Sequence, residues 1–234
     1  MNIRILQLVE GAKEATGITV VIDVFRAMTV EATLLSMGAE KVIPMGDLEA
    51  AYRYKAEHPE VLLVGERHGK MLPGFDFGNS PSEIAKGDIA GKTVVHTTSA
   101  GTQGIANAKN AEVILGGCLA NARATAEYIQ KSGHEDVSLV CMGLEALRPT
   151  EEDTLCAEYI RSILEGVPMD TETQIPMLKN TSGAKFFDPA QQEAFPMPDF
   201  EACVHADVFP FAMRVEKDED GLSVMRRIPM GEEK

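Results

Sequence analysis

The 234-residue sequence predicts an α/β fold, layered α/β/α with largely parallel strands, on three observations. Short runs rich in Val, Ile and Leu recur along the chain. Segments with apolar residues three or four apart fill the intervals, and most runs end in turns rich in Gly, Asp, Ser or Thr. Strands covered on both faces read as continuous apolar runs, and helices that cross over between them make them parallel. The chain reads as one unit over residues 1–234, long enough to bury an ordinary core without a disulfide or metal staple.

Strands are expected at residues 3–8, 19–24, 41–45, 61–64, 93–97, 112–115 and 137–142, and helices at 28–37, 48–57, 121–131 and 151–165. Ser80-Pro81-Ser82-Glu83 reads as a further helix start, with Ser80 as N-cap, Pro81 at the first helical position and Glu83 closing a capping box. Thr19-Val20-Val21 and Thr93-Val94-Val95 each open a strand, a polar turn and a helix, and each unit ends in a similar Ala-Glu phrase. This suggests related halves over about 1–90 and 91–166, against the alternative that any two β-α-β units look this much alike. Beyond 166, Pro168, Pro176, Pro189, Pro196, Pro198 and Pro210 break the pattern, and residues 167–234 read as a wrapping segment. Residues 208–215 and 222–228 can pair across Asp218-Glu219-Asp220-Gly221 at a sheet edge. The terminal Gly231-Glu232-Glu233-Lys234 is expected to fray.

A formal net charge of −14 repels polyanions, so nucleic acid and anionic membranes are unfavoured partners, while a small anion in one cationic pocket stays open. The N-terminus lacks the phases of a signal peptide and no apolar run approaches a membrane span, so a cytoplasmic location is expected. Cys118, Cys141, Cys156 and Cys203 form no Cys-x-x-Cys pair and read as reduced thiols.

Ligands of open α/β sheets bind beyond the C-terminal ends of strands, so the chemistry is sought in those turns. In Asp23-Val24-Phe25-Arg26-Ala27, Asp23 either holds a divalent cation or caps the next helix. Gly65-Glu66-Arg67-His68-Gly69 leads into the glycine-rich stretch 73–81, which either grips a ligand or is a surface loop pinned by Phe75 and Phe77. Thr97-Thr98-Ser99-Ala100-Gly101-Thr102 is either an anion cradle or a hydroxyl-rich cap. Glu151, Glu152 and Asp153 suit a helix N-terminus by its dipole and suit Mg²⁺ by their oxygens. Gly87-Asp88-Ile89-Ala90-Gly91-Lys92-Thr93 is one residue too short for a P-loop, and the sequence has no Gly-x-Gly-x-x-Gly after a strand, no Gly-x-Ser-x-Gly and no His-x-x-x-His. His96, inside an apolar run, reads as a core or crevice residue, and His68 is the histidine to watch.

Taken in order, these turns resemble the 2-phosphosulfolactate phosphatase family over residues 18–165. The resemblance rests on Asp23-Val24-Phe25-Arg26-Ala27, Gly65-Glu66-Arg67, Gly74-Phe75-Asp76-Phe77-Gly78-Asn79-Ser80-Pro81, Thr97-Thr98-Ser99-Ala100-Gly101-Thr102 and Glu152-Asp153-Thr154-Leu155-Cys156-Ala157. Ala100 and His68 stand where many relatives carry Asn and Gly. The resemblance implies a Mg²⁺-dependent phosphatase that converts 2-phosphosulfolactate to 3-sulfolactate and phosphate, a coenzyme M type reaction, and it allows a homodimer. For such a reaction, catalytic roles are expected of Asp23, Arg26 and Arg67, and substrate contacts of Asn79, Thr97, Thr98, Ser99, Gly101, Thr102 and Asn121. Metal ligands are expected among Asp23, Glu66, Asp76, Glu152 and Asp153. Attack by water is favoured over a phosphoaspartate on Asp23, because Phe25 stands where haloacid-dehalogenase-type phosphatases carry a second acid. A same-fold phosphatase for another phosphorylated hydroxy acid, or a non-catalytic anion-binding protein, are the other readings.

Overall fold

In the computed structural model, residues 1–231 are described, so most of the terminal Gly-Glu-Glu-Lys lies outside the described residues. The strands are β1 (Asn2–Gln7), β2 (Gly17–Ile22), β3 (Lys41–Pro44), β4 (Leu62–Arg67), β5 (Lys70–Met71), β6 (Thr93–Thr97), β7 (Ala111–Gly117), β8 (Asp136–Cys141), β9 (Phe211–Lys217) and β10 (Ser223–Pro229). The helices are α1 (Leu8–Glu14), α2 (Ala27–Ser36), α3 (Leu48–Glu57), α4 (Pro81–Ile84), α5 (Gly101–Asn107), α6 (Ala122–Ser132), α7 (Glu151–Glu165), α8 (Thr171–Met177) and α9 (Met197–Val204). Each apolar run read as a strand is one. The short helix α1 is an addition: it starts at Leu8, whose φ of 62 turns the chain directly out of β1.

Among the described residues the strands form one sheet in the order β1-β8-β2-β7-β9-β10-β3-β6-β4-β5. It is a layered α/β structure with two parallel blocks, β1-β8-β2-β7 and β3-β6-β4. The hairpin β9–β10 joins them, pairing antiparallel to β7 on one side and to β3 on the other. This corrects the expectation of an edge hairpin. Phe211, Ala212, Met213, Val224 and Met225 are buried, so this hairpin carries apolar surface that an edge position would leave in water. Its turn is built as read: Asp218 accepts from the Asp220 and Leu222 N–H groups, and Gly221 takes φ 77.

The two β-α-β units cross between the blocks in opposite directions. β2 leads through α2 to β3, whereas β6 leads through α5 to β7, and β2 pairs with β7 while β3 pairs with β6. Helix α2 is buried at every residue from 27 to 35, in keeping with a central helix packed on all sides. Around it lies one apolar cluster containing Met28, Val30, Leu34, Met142 and Met213. A second cluster, with Ile22, Leu115, Ile160 and Phe186, lies under α6, α7 and the C-terminal segment, and a third, with Ile43, Leu63 and Phe75, lies under α3.

Strands about 4.8 Å apart would hold β2 and β6 about 24 Å from each other in a flat sheet. Instead, the start of α5, which follows β6, packs against the turn that follows β2. A Cβ on Gly101, at the start of α5, would stand 2.7 Å from the Ala27 Cβ and 3.0 Å from Asp23 Oδ2, so glycine permits the close approach. Ser80 caps α4 by accepting from the Glu83 N–H, but the Glu83 carboxylate pairs with Lys86, leaving the capping box half formed.

Candidate active site

The C-terminal ends of β2, β4, β6 and β8 open onto a cleft of ≈ 380 Å³. Asp23, Glu66, Ser99 and Gly143 line it from those ends, while Lys185, Gln191 and Phe195 line it from the C-terminal segment. Arg26, Asn79 and Thr98 complete the polar wall.

Asp23 is buried, and its Oδ1 accepts from the Ala27 N–H at 3.1 Å, so it both caps α2 and faces the cleft. Burial raises its pKa to about 6, and the Glu152 and Glu66 carboxylates add to the rise against the opposing Ala27 N–H and Lys185. Glu152 lies behind the cleft lining; burial likewise raises its pKa, offset first by the Ser182 hydroxyl and then by Lys185, and no hydrogen bond of ordinary geometry reaches its Oε2 among the described residues. Glu66 is already occupied: Oε2 accepts from Gly69 N–H at 2.7 Å and Oε1 from Ser99 N–H at 2.9 Å. It therefore locks the β4 and β6 turns to each other.

The hydroxyl-rich turn divides its work. Thr98 and Thr102 cap each other, each hydroxyl accepting from the other's backbone N–H, whereas Ser99 Oγ is buried without a partner among the described residues and belongs to the cleft lining. Thr102 and Gly101 thus shape the turn without lining the cleft. Thr97 accepts from Arg67 Nη2 at 3.1 Å, and Arg67 Nη1 donates to the Glu66 carbonyl, so this arginine is spent outside the cleft.

Arg26 has the opposite fate. It is buried against Asp199, which accepts from Nη1 at 2.6 Å and also from Ser80 Oγ and Ser82 N–H. The Phe195 ring centroid lies 4.9 Å from the Arg26 guanidinium and 5.0 Å from Lys185 Nζ. Burial lowers the Lys185 pKa and Arg26 lowers it further, while Glu152 and Asp23 hold it up. At the cleft mouth the exposed His68 Nδ1 meets Glu145 Oε1 at 2.7 Å.

Three residues read as candidates serve the scaffold. Asp76 accepts from Leu63 N–H and lies 3.6 Å from Lys55, outside the cleft. Asn121 accepts from Cys118 N–H and donates to the Gly116 carbonyl, fixing the turn after β7. Asp153 accepts from Val24 N–H at 2.8 Å and Gly143 N–H at 2.7 Å, tying the β2 turn to the β8 turn, and burial raises its pKa well above the usual range. Lys185, Phe195 and Asp199 went unread. The visible signals were a lysine beside two phenylalanines and an acid in the first turn of a Pro-flanked helix.

Residues 4–217 match the family model for 2-phosphosulpholactate phosphatase. A Bacillus subtilis protein named probable 2-phosphosulfolactate phosphatase is 30% identical over 230 residues, covering 97% of this chain and 100% of its own. One of the same name from Thermoplasma volcanium is 28% identical over 87% of this chain and 92% of its own, and one from Caldicellulosiruptor saccharolyticus is 43% identical over 60% and 59%. With the family pattern running from β1 through β9, the chain belongs to the 2-phosphosulfolactate phosphatase family, a family of phosphoric monoester hydrolases.

Proposed function

We propose that this phosphatase hydrolyses 2-phosphosulfolactate to 3-sulfolactate and inorganic phosphate with Mg²⁺, the reaction type of a coenzyme M route. One observation carries the reading: one cleft, roomy enough for a small organic acid, sets Arg26 and Lys185 beside a carboxylate, Asp23, whose charge is disfavoured by burial. A substrate with phosphate, sulfonate and carboxylate groups needs such cations in a chain of net charge −14.

The donors fit Mg²⁺. Asp23 and Glu152 supply hard oxygens whose charges repel each other, and the unpartnered Glu152 Oε2 is what a cation would satisfy. Among the described residues no three His, Cys, Asp or Glu side chains gather to hold a metal by themselves. Mg²⁺ commonly binds through one or two carboxylates, with waters and phosphoryl oxygens filling the other positions, so Asp23 and Glu152 would be its protein ligands. When bound, it would neutralise phosphoryl charge and favour attack by water.

Arg26 and Lys185 bind the anionic oxygens, and the Ser99 hydroxyl donates to one of them. A water oxygen bonds to phosphorus as the bond from phosphorus to the ester oxygen breaks; the water gives up a proton and the leaving oxygen gains one. Phosphate release is measured from 2-phosphosulfolactate and from other phosphorylated hydroxy acids, with Mg²⁺ and with EDTA, for wild type and Asp23→Asn. EDTA-sensitive turnover of the sulfonate, lost in the variant, is expected. Turnover of other acids only would replace the substrate, and a trapped phosphoenzyme absent from Asp23→Asn would replace water as the nucleophile.

A further inference from the structure

Behind the cleft lies a buried polar chain that the proposed chemistry does not use. Glu31, in the fully packed helix α2, and His96, in β6, are both completely buried. His96 Nδ1 is 2.8 Å from Glu31 Oε1, and its Nε2 is 3.1 Å from Asn79 Oδ1. Asn79 belongs to the cleft lining, and its Nδ2 has no protein acceptor among the described residues.

The bonding can be followed atom by atom. A carboxamide oxygen only accepts, so the contact at Nε2 requires a proton on that nitrogen. On the other side of the ring one proton lies between Nδ1 and the Glu31 carboxyl, whichever of the two holds it. In either arrangement Asn79 Oδ1 is engaged behind the wall and its NH₂ is left for the cleft. Without that N–H, the lone pair of Nε2 would take the NH₂ group instead and turn a carbonyl oxygen toward any bound anion. A buried carboxylate and imidazole are costly to keep inside a helix–sheet interface, and this gives them a task.

We propose that Glu31 and His96 are positioning residues that hold the Asn79 carboxamide with its NH₂ toward the cleft, where it donates to an anionic oxygen of the phosphorylated substrate. The inference rests on the reading of the cleft as an anion site. It needs no particular substrate beyond an oxyanion.

The test is a double-mutant cycle. The paired replacement Glu31→Leu with His96→Phe removes both polar partners together, which leaves no orphaned carboxylate in the core. It is combined with Asn79→Ala, and each protein is measured for KM, kcat, thermal midpoint and affinity for inorganic phosphate. The paired replacement alone is expected to raise KM and weaken phosphate binding about tenfold with a smaller change in kcat. On the Asn79→Ala background it is expected to change neither. Equal effects on both backgrounds, or an unchanged KM, would overturn the proposal. The wild type offers a second readout that needs no variant to fold: ¹⁵N spectra of labelled histidine, with His96 assigned by its contacts to Asn79, should show a protonated Nε2. A bare Nε2 would overturn it equally. If wild type releases no phosphate from any substrate, the phosphatase reading falls, while phosphate affinity and the Nε2 signal still decide the positioning role.

Discussion

The strand-end turns and the C-terminal segment reach the same cleft by different means. In the turns, two carboxylates are fixed by backbone N–H groups: Asp23 by Ala27, and Glu66 by Gly69 and by Ser99 of the neighbouring turn. In the C-terminal segment the contacts are between side chains far apart in sequence, with Asp199 holding Arg26 from α9 and Lys185 packed among Phe25, Phe186 and Phe195. Backbone hydrogen bonds orient the acids, and side-chain pairing from the C-terminal segment supplies the balance of charge. The turns alone would leave Arg26 buried without its carboxylate and the acids without Lys185.

Breaking the long-range half should have the largest effect. Asp199→Asn leaves a buried guanidinium without a counter-charge, and removing one partner of such a pair costs about 3–5 kcal/mol. Denaturant unfolding should show that loss together with a fall in turnover. A stability change below about 1 kcal/mol would mean that Arg26 draws its compensation from elsewhere and that the segment is only a cover.

How much of this was legible follows from the same division. Asp23, Glu66 and the 97–102 turn could be found because a strand end followed by turn and cap residues is a local pattern, and the strands themselves are short apolar runs. Asp199 could not, because an acid in the first turn of a helix reads as dipole stabilisation until Arg26 is seen opposite. The central place of β9–β10 was hidden too: its seam to β3 is registered at Met225 with Val42, a tertiary pairing that the hairpin's own sequence does not announce. Asp153 shows the converse, an acid inside a family motif whose two oxygens are taken by Val24 and Gly143 N–H.

The local half can be tested through the charge it holds. Asp23 has its pKa raised from 3.8 to about 6, so the folded state keeps a proton that the unfolded chain releases. Stability from this group therefore falls as pH rises through that window, is unaffected below it, and above pH 6 carries a penalty of roughly 3 kcal/mol. Asp23→Asn keeps an acceptor for Ala27 N–H and removes the charge. In EDTA the variant should match wild type near pH 3.5 and exceed it at pH 7, with Mg²⁺ narrowing the difference by stabilising wild type. Equal unfolding midpoints at pH 7 would show that the carboxylate is solvated well enough to need no cation.

A smaller effect separates binding from fold within the C-terminal segment. Lys185→Met keeps the apolar stem against the phenylalanines and removes the ammonium. KM for a phosphorylated substrate should rise about tenfold, with the thermal midpoint nearly unchanged, since a charge-assisted hydrogen bond is worth about 1.5–3 kcal/mol. An unchanged KM would assign the anion to Arg26 alone.

The smallest expected effect falls on a residue that the motif marks as strongly as Asp23. Asp76 sits in the most specific stretch of the family resemblance, yet its carboxylate accepts from Leu63 N–H and faces Lys55 on the outer side of β4. Asn in its place can still accept from Leu63, and an exposed ion pair is worth at most about 1 kcal/mol, so Asp76→Asn should alter turnover by no more than about twofold. A metal ligand would behave differently, because loss of one of few carboxylates would raise the Mg²⁺ concentration needed for half-maximal activity. Titrating Mg²⁺ against activity in Asp76→Asn and wild type side by side distinguishes an acid that shapes the loop from one that serves the chemistry. A shifted Mg²⁺ requirement in Asp76→Asn would draw the loop into the metal site and erase the division between local scaffold and cleft.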